Sequence, residues 1–438
     1  MRGWRADSDR RGDTRLARLG HRSGRWLTLG VVVAGAGAAL GFVAYWPRDD
    51  APAVPDQPNT YVDATVTGID TETCDDFDTG GTTSCQLVGA ELTSGPDDGD
   101  DIEFRVLATQ FEVPELSVGD DVVLLDVASS PDEFRYTFSE FQRRTPMLLL
   151  AGAFALVVIA FGRFQGVRAL LGLAASGAVL VAFVVPALLR DSPALPVALA
   201  GTVAIAFVAL YLAHGLRLGT TVALAGTLVS LAAISSLALL VANVANLTGL
   251  ADADAQVLRV TANALDLRGL LVAGIVVGAL GVLDDVTVSQ VSIVAALRRA
   301  NPGLSRRLLY HEATRVGRDH VASTVNTLVL AYAGASLPLL LFFAQGDQPV
   351  ERLLTSELIA VEIVRMLVGS IGLVASVPIT TGLAALVLGA EDDAVDRRTQ
   401  SHTLTYEADL TAAAPAVAGS PEPAWDEYAS DDEFWDRR

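Results

Sequence analysis

The sequence predicts an α-helical polytopic membrane protein of about eight transmembrane helices, carrying a small β-rich extracytoplasmic domain. Three observations predict it. Of 438 residues, 51% are hydrophobic and only 19% charged, against roughly 25% charged in soluble domains. The deficit is uneven, because uncharged apolar runs of membrane-spanning length recur between short charged stretches. One interval, 47–145, breaks the pattern and reads instead as short strands separated by Gly/Asp turns.

The chain opens with a basic segment, 1–26, carrying eight arginines against three aspartates. Leu27–Trp46 follows without a charge, and about 20 helical residues suffice to cross ~30 Å of hydrocarbon. A basic flank before an apolar run also fits a cleaved signal peptide. This run is long for that role, and Phe42-Val43-Ala44-Tyr45-Trp46 makes a poor cleavage site. An uncleaved anchor at 27–46 is therefore expected, with Tyr45 and Trp46 at the outer interface.

The interval 47–145 begins with a linker containing Pro47, Pro52, Pro55 and Pro58. Strand-like runs follow at Tyr61–Ile69, Cys85–Leu92, Ile102–Leu107 and Val122–Val127. About five short strands in such an interval predict a small barrel or sandwich, the OB-like barrel among the choices. Both cysteines, Cys74 and Cys85, fall here. In an oxidising compartment they are disulfide candidates, and elsewhere they remain free thiols. Asp97, Asp98, Asp100 and Asp101 lack the spacing of a calcium loop and read as a solvated turn.

The helical bundle occupies 146–389. Its spans read as Pro146–Gly162, Ala169–Leu189, Ala194–Ala213, Thr220 to Asn246, Gly269–Val294, Val321–Ala344 and Met366–Gly389. Basic turns at 163–168 and 214–219 and a basic loop at 298–320 separate some of them. Setting these and the N-terminus inside satisfies the positive-inside rule. Both termini are then cytoplasmic and 47–145 is outside, in agreement with its cysteines. The acidic tail, 390–438, reads as disordered.

Composition and motifs exclude several functions. The net charge of −20 is no nucleic-acid signature. All 31 basic side chains are arginine, so a Walker lysine is absent, and neither G-x-S-x-G nor H-E-x-x-H occurs. No enzyme and no cofactor are expected. No metal site is expected either, since tight His/Asp ligand spacing is lacking.

The chemistry worth following lies in the sixth span, at Asp284 and Asp285. Counting from Gly269 at ~1.5 Å per residue puts Asp284 about 22 Å along the helix, within the hydrocarbon. Carboxylates at that depth are costly and seldom face lipid. Asp285 shares a helical face with Ser289, and Asp284 with Thr287. The pair then binds a proton, a cation or a substrate group; alternatively the helix ends early and both sit among headgroups. Asp319, His320 and Asn326 fall near the same level, so Asp284, Asp285, Ser289, Asp319, His320 and Asn326 together outline a solute or ion pathway. Helix capping and headgroup contacts are the competing explanation. At the outer mouth, Glu362 and Arg365 stand at i and i+3 and are expected to pair locally. Pro378 can kink the last helix.

The run Gly278–Ser289, with Asn301-Pro302, Gly317-Arg318-Asp319, Ser323–Thr327, Ser336-Leu337-Pro338, Glu362–Arg365, Gly369–Gly372 and Pro378, resembles the YibE/F family of bacterial multi-pass membrane proteins. The resemblance is strongest over 270–388. It implies an integral membrane protein with an anchor, a β-type segment and a helical bundle, and it brings no substrate. The doubled aspartate departs from a family pattern that has one, with Asp285 the equivalent. Two readings follow: a transporter or permease-like protein for a small solute or ion, or a non-transporting envelope sensor or assembly factor whose outer domain meets a protein partner. The lipid bilayer is the common partner of both, and nucleic acid of neither.

Overall fold

The computed structural model describes residues 3–48, 59–76, 81–107, 115–127, 130–131, 135–190, 192–251, 253–261, 265–345 and 349–388. Most of the linker, the side chain of Cys74 and the acidic tail lie outside the described residues.

Helix α1 spans Gly3–Ala44, so the basic N-terminal segment continues directly into the anchor. Five strands follow: β1 (Asn59–Asp76), β2 (Gly81–Leu92), β3 (Asp101–Leu107), β4 (Asp121–Val127) and β5 (Tyr136–Phe141). They form one antiparallel sheet in the order β3-β2-β1-β4-β5. Alternate side chains on each strand point to one face. Val62, Ala64, Val88, Leu92, Phe104, Val122 and Leu124 therefore meet in a single buried cluster. Register shifts at Val66/Gly68 and Val123/Leu124 curl the sheet, and its edge strands β3 and β5 come into contact. Cys85 is disulfide-bonded. Its position on β2 lies opposite Glu72, two residues from Cys74 on the paired strand.

The bundle consists of α2 (Arg144–Val179), α3 (Val185–Leu188), α4 (Ala194–His214), α5 (Leu218–Val244), α6 (Ala253–Thr261), α7 (Leu267–Ala300), α8 (Arg306–Ala335), α9 (Leu337–Ala344), α10 (Val350–Leu354) and α11 (Glu357–Leu388). A π-helical turn, Leu180–Val184, joins α2 to α3. It precedes Pro186, whose missing N–H and ring disturb the regular helical ladder. Helix α7 begins where Asp266 accepts a 2.9 Å bond from the Gly269 N–H and ends on Arg298 and Arg299, suiting its dipole.

Six of the described helical segments are long and apolar enough to cross a membrane, and the α8–α9 pair, bent by 59°, passes the same test together. The bend lies at Ser336, just before Pro338. One of the six is Arg144–Leu188. Within it Arg163 has φ 51° and ψ −130°, far from helical values. Gly166 packs directly on the carbonyl of Val158, although eight residues of unbroken helix would separate them by ~12 Å. The chain therefore folds back sharply at Arg163, a tighter turn than the 163–168 expected.

A second boundary also moves. Ser305 caps α8 by accepting from the Leu308 N–H at 3.3 Å, so the link after α7 is only 301–305. Arg306, Arg307, Arg315 and Arg318 stand on a helix rather than in a loop. Asp319 and His320 thus lie in the middle of α8.

Helices α5, α7 and α11 form the centre of the bundle, with α4 and α8 against it and α2 outside α4. Small residues let the central helices approach. Gly226 of α5 packs on Thr380, and Gly372 of α11 on Ile234. The outer surface is apolar: Leu148, Leu149, Leu150 and Phe161 of α2 and Leu341 and Phe342 of α9 are exposed. A soluble monomer rarely leaves such a surface uncovered. Lipid covers it.

Candidate functional site

Between α2, α4 and α7 lies a cavity of about 480 Å³. Its walls are mostly small or apolar, with Gly172, Leu173, Leu180, Ala206, Ala209 and Leu280 among them. Gly281 contributes room, since a Cβ there would have nothing within 4 Å. Three titratable side chains reach this otherwise apolar space: Asp284, Asp285 and His214. Helix α7 delivers the two carboxylates at mid-length, and His214 arrives as the last residue of α4.

The two aspartates differ in surroundings. Asp284 is half-buried, and its Oδ1 is fully buried with no hydrogen-bond partner among the described residues. Asp285 is 70% exposed at its side chain, and its Oδ2 lies 4.0 Å from His320 Nε2. His214 Nδ1 is buried and likewise without a partner. A buried oxygen and a buried nitrogen without partners on one cavity each cost free energy unless something bonds to them. A water, a proton shared with a ligand, or a cation would satisfy the carboxylate oxygen.

The six pathway residues named from the sequence are only partly brought together. Asp284 and Asp285 share the cavity, and His320 approaches Asp285 across the α7–α8 hairpin. Ser289 is half-buried and does not line the cavity. Asp319 and Asn326 are exposed on α8, and neither side chain has a hydrogen bond to the others among the described residues. At the other end of the bundle Arg365 Nη1 bonds Glu362 Oε1 at 2.8 Å. No group of three or more His, Cys, Asp or Glu side chains suited to a metal ion stands together among the described residues. His214 escaped the sequence reading because a single histidine at the end of an apolar span carries no periodic signal.

A buried polar seam backs the site. Thr287 Oγ1 is 2.8 Å from Thr227 Oγ1 of α5 and 3.2 Å from the Asp284 carbonyl. One turn further, Thr381 of α11 donates to Gln290 Oε1 at 2.9 Å. These bonds fix the rotation of α7 against α5 and α11, and with it the direction of Asp284. The helix cannot turn its carboxylate towards lipid without breaking them.

No curated protein and no solved structure matches the chain. A family model described as YibE/F-like protein matches residues 150–390, which takes in every helix that lines the cavity. That match covers more than half of the chain, and the protein belongs to the YibE/F-like family.

Proposed function

We propose that the protein is a permease-like membrane protein that moves a small solute or ion, with Asp284 as the group that takes the proton or cation. One observation carries this reading: Asp284 Oδ1 and His214 Nδ1, both buried and unpartnered, line one cavity inside the bundle. Evolution seldom leaves a carboxylate at membrane depth without a task. The role is one of binding and passage rather than catalysis, and its partners are the bilayer and the transported species, not nucleic acid.

The topology that suits this role has eight crossings. Dividing Arg144–Leu188 at the Arg163 turn and counting α8–α9 as one broken span raises the six long helices to eight. Both termini then lie on the arginine-rich cytoplasmic side of a bacterial plasma membrane. The sheet is extracytoplasmic, which agrees with its disulfide. Its strand order and touching edges support an OB-like barrel.

The test is thermal unfolding of the purified wild type beside Asp284→Asn and Gly281→Leu, titrated with Na⁺, K⁺, Mg²⁺ and Mn²⁺ and stepped in pH. A species that binds the folded state raises its apparent stability, by ~2.7 kcal/mol at a hundred times Kd. Stabilisation is expected in the wild type and lost in both variants. Gly281→Leu projects into the cavity from a position where a Cβ has nothing within 4 Å, so it separates an occupied site from the loss of the carboxylate. Equal responses in all three proteins would remove the cavity from the mechanism.

A further inference from the structure

Helix α8 meets the bundle with one face only. Leu309, Ala313, Gly317 and Val321 repeat every four residues and are buried against it. Beyond Val321 the helix buries nothing: none of the residues 322–335 is buried. A different face carries Val316, Asp319, Ser323, Asn326, Leu330 and Ala333, all of them exposed. Their spacing alternates between three and four residues, which is the seam with which one helix packs on another.

The depth of Asn326 follows from two contacts between α8 and α7. Gly317 lies against Gln290, and the Tyr332 hydroxyl is 3.6 Å from where a Cβ would stand on Gly278. Asn326 falls between these levels, near the Gly281–Asp284 stretch of α7 and so within the hydrocarbon. Its carboxamide bonds nothing among the described residues. Lipid offers such a group no partner, so leaving it bare at that depth is costly. In membranes, carboxamides find their bonds across helices.

We propose that α8 is the seam of a homodimer, packed in parallel on α8 of a second copy, with Asn326 bonded to its own counterpart. Several features favour a second copy over another protein. Copies that share one topology bring identical residues to the same depth across a two-fold axis. A carboxamide holds two N–H donors and a carbonyl acceptor, so one satisfies another. A single Asn in such a seam also fixes register and the number of helices. Nearer the arginine-rich end, Asp319 of one copy can reach Arg315 or Arg318 of the other, which makes the charge pattern complementary to itself. Ser323 and Ala333 are small and permit close approach. The dimer is independent of the cation or proton reading of Asp284 and stands or falls without it.

The experiment uses the full chain in its membrane. Ser323→Cys and Leu330→Cys are placed on the seam, and Leu149→Cys on the exposed face of α2. A disulfide needs Cα atoms within about 7 Å. Mild oxidation is therefore expected to give adducts of twice the chain's mass in both seam variants and none in Leu149→Cys. Wild type and Asn326→Leu are then diluted in phosphatidylethanolamine/phosphatidylglycerol vesicles, and copies per particle are counted by photobleaching. Asn326→Leu should dissociate at least about tenfold more readily, a difference of ~1.4 kcal/mol. Leucine suits an exposed position in lipid, so a single copy keeps its fold and the loss reads on association alone. A wild type that is monomeric at every dilution overturns the proposal, as does Asn326→Leu that dimerises as tightly as wild type. Equal cross-linking through Leu149→Cys overturns it as random collision. Seam adducts of any mass other than twice the chain overturn it as well, since a different membrane protein then covers α8.

Discussion

Gln290 of α7 accepts a 2.9 Å hydrogen bond from Thr381 of α11, and both side chains are fully buried. The carboxamide lies against Gly317 of α8, where an added Cβ would come within 2.7 Å of both its nitrogen and its oxygen. Three helices thus meet at one amide, ten residues from the C-terminal end of α7. That arrangement ranks two substitutions. Thr381→Val removes one interhelical hydrogen bond, worth about 0.6 kcal/mol in membrane bundles. Gly317→Ala pushes a methyl into a packed amide and costs about 1–3 kcal/mol. Apparent Tm in detergent should fall further for Gly317→Ala, and the reverse order would mean that the α7–α11 bond matters more than the close approach of α8.

Glu357 begins α11 and reaches the loop that follows α5. Its Oε1 accepts from the Gly249 N–H at 2.9 Å, and Thr248 bonds the same carboxylate through Oγ1 at 2.9 Å. Gly249 adopts φ +77°, and a Cβ there would strike the Leu267 carbonyl. Glu357→Ala should cost about 0.5–1.5 kcal/mol, because water can reach the exposed groups it releases, with proteolysis gained between Asn246 and Arg268. Gly249→Ala should weaken the same loop by strain. Unchanged proteolysis in both variants would show that the loop is held by other contacts.

Much of this architecture was legible in the sequence, and the failures have a common cause. Uncharged runs of spanning length mark α4, α5 and α11 because each helix carries its own signal. The Asp285–His320 approach follows from a hairpin whose two arms can be counted from Asn301-Pro302. Strand β5, in contrast, was never located individually, since Tyr136–Phe141 is short and alternates weakly. Asp97 read as part of a solvated turn, yet Arg135 bonds it at 2.8 Å and Tyr136 at 3.1 Å. That Asp284 shares a cavity with His214 was invisible for the same reason. It needs α2, α4 and α7 assembled, and no local pattern records which aspartate the assembly encloses. The family pattern drew attention to Asp285, whereas the geometry favours Asp284.

The Asp97 contacts carry a pH prediction for the sheet. Burial, and then the hydrogen bond to Asp97, raises the Tyr136 hydroxyl above the usual phenol range. The fold therefore holds the neutral phenol. Its contribution is complete below pH ~10, the unfolded value, and is lost as pH rises through the higher folded value. Alkaline unfolding followed by near-ultraviolet dichroism should lose this component in Tyr136→Phe. Asp126, buried and bonded to Arg135 Nε at 2.8 Å, should make Arg135→Met more damaging than Tyr136→Phe at neutral pH, because one variant strands a buried carboxylate and the other removes a hydroxyl. Equal damage would mean that Asp126 finds another partner.

The Arg163 turn makes a topological prediction that separates eight crossings from seven. If the chain reverses there, Phe164 and Leu216 lie on the same side of the membrane, both at tips that expose them strongly. If Arg144–Leu188 crosses only once, Phe164 is embedded part-way along it. The native cysteines do not interfere, since Cys85 is disulfide-bonded and the chain holds only one other. Phe164→Cys and Leu216→Cys should therefore react with a membrane-impermeant maleimide only after cells are opened, whereas Asp98→Cys should react in intact cells. Phe164→Cys that never reacts, while Leu216→Cys does, would argue for a single long crossing and move His214 to the opposite side from the one the cavity requires. Reaction of Phe164→Cys in intact cells would invert the bundle and put its arginine-lined end outside, against the charge bias that orients short loops.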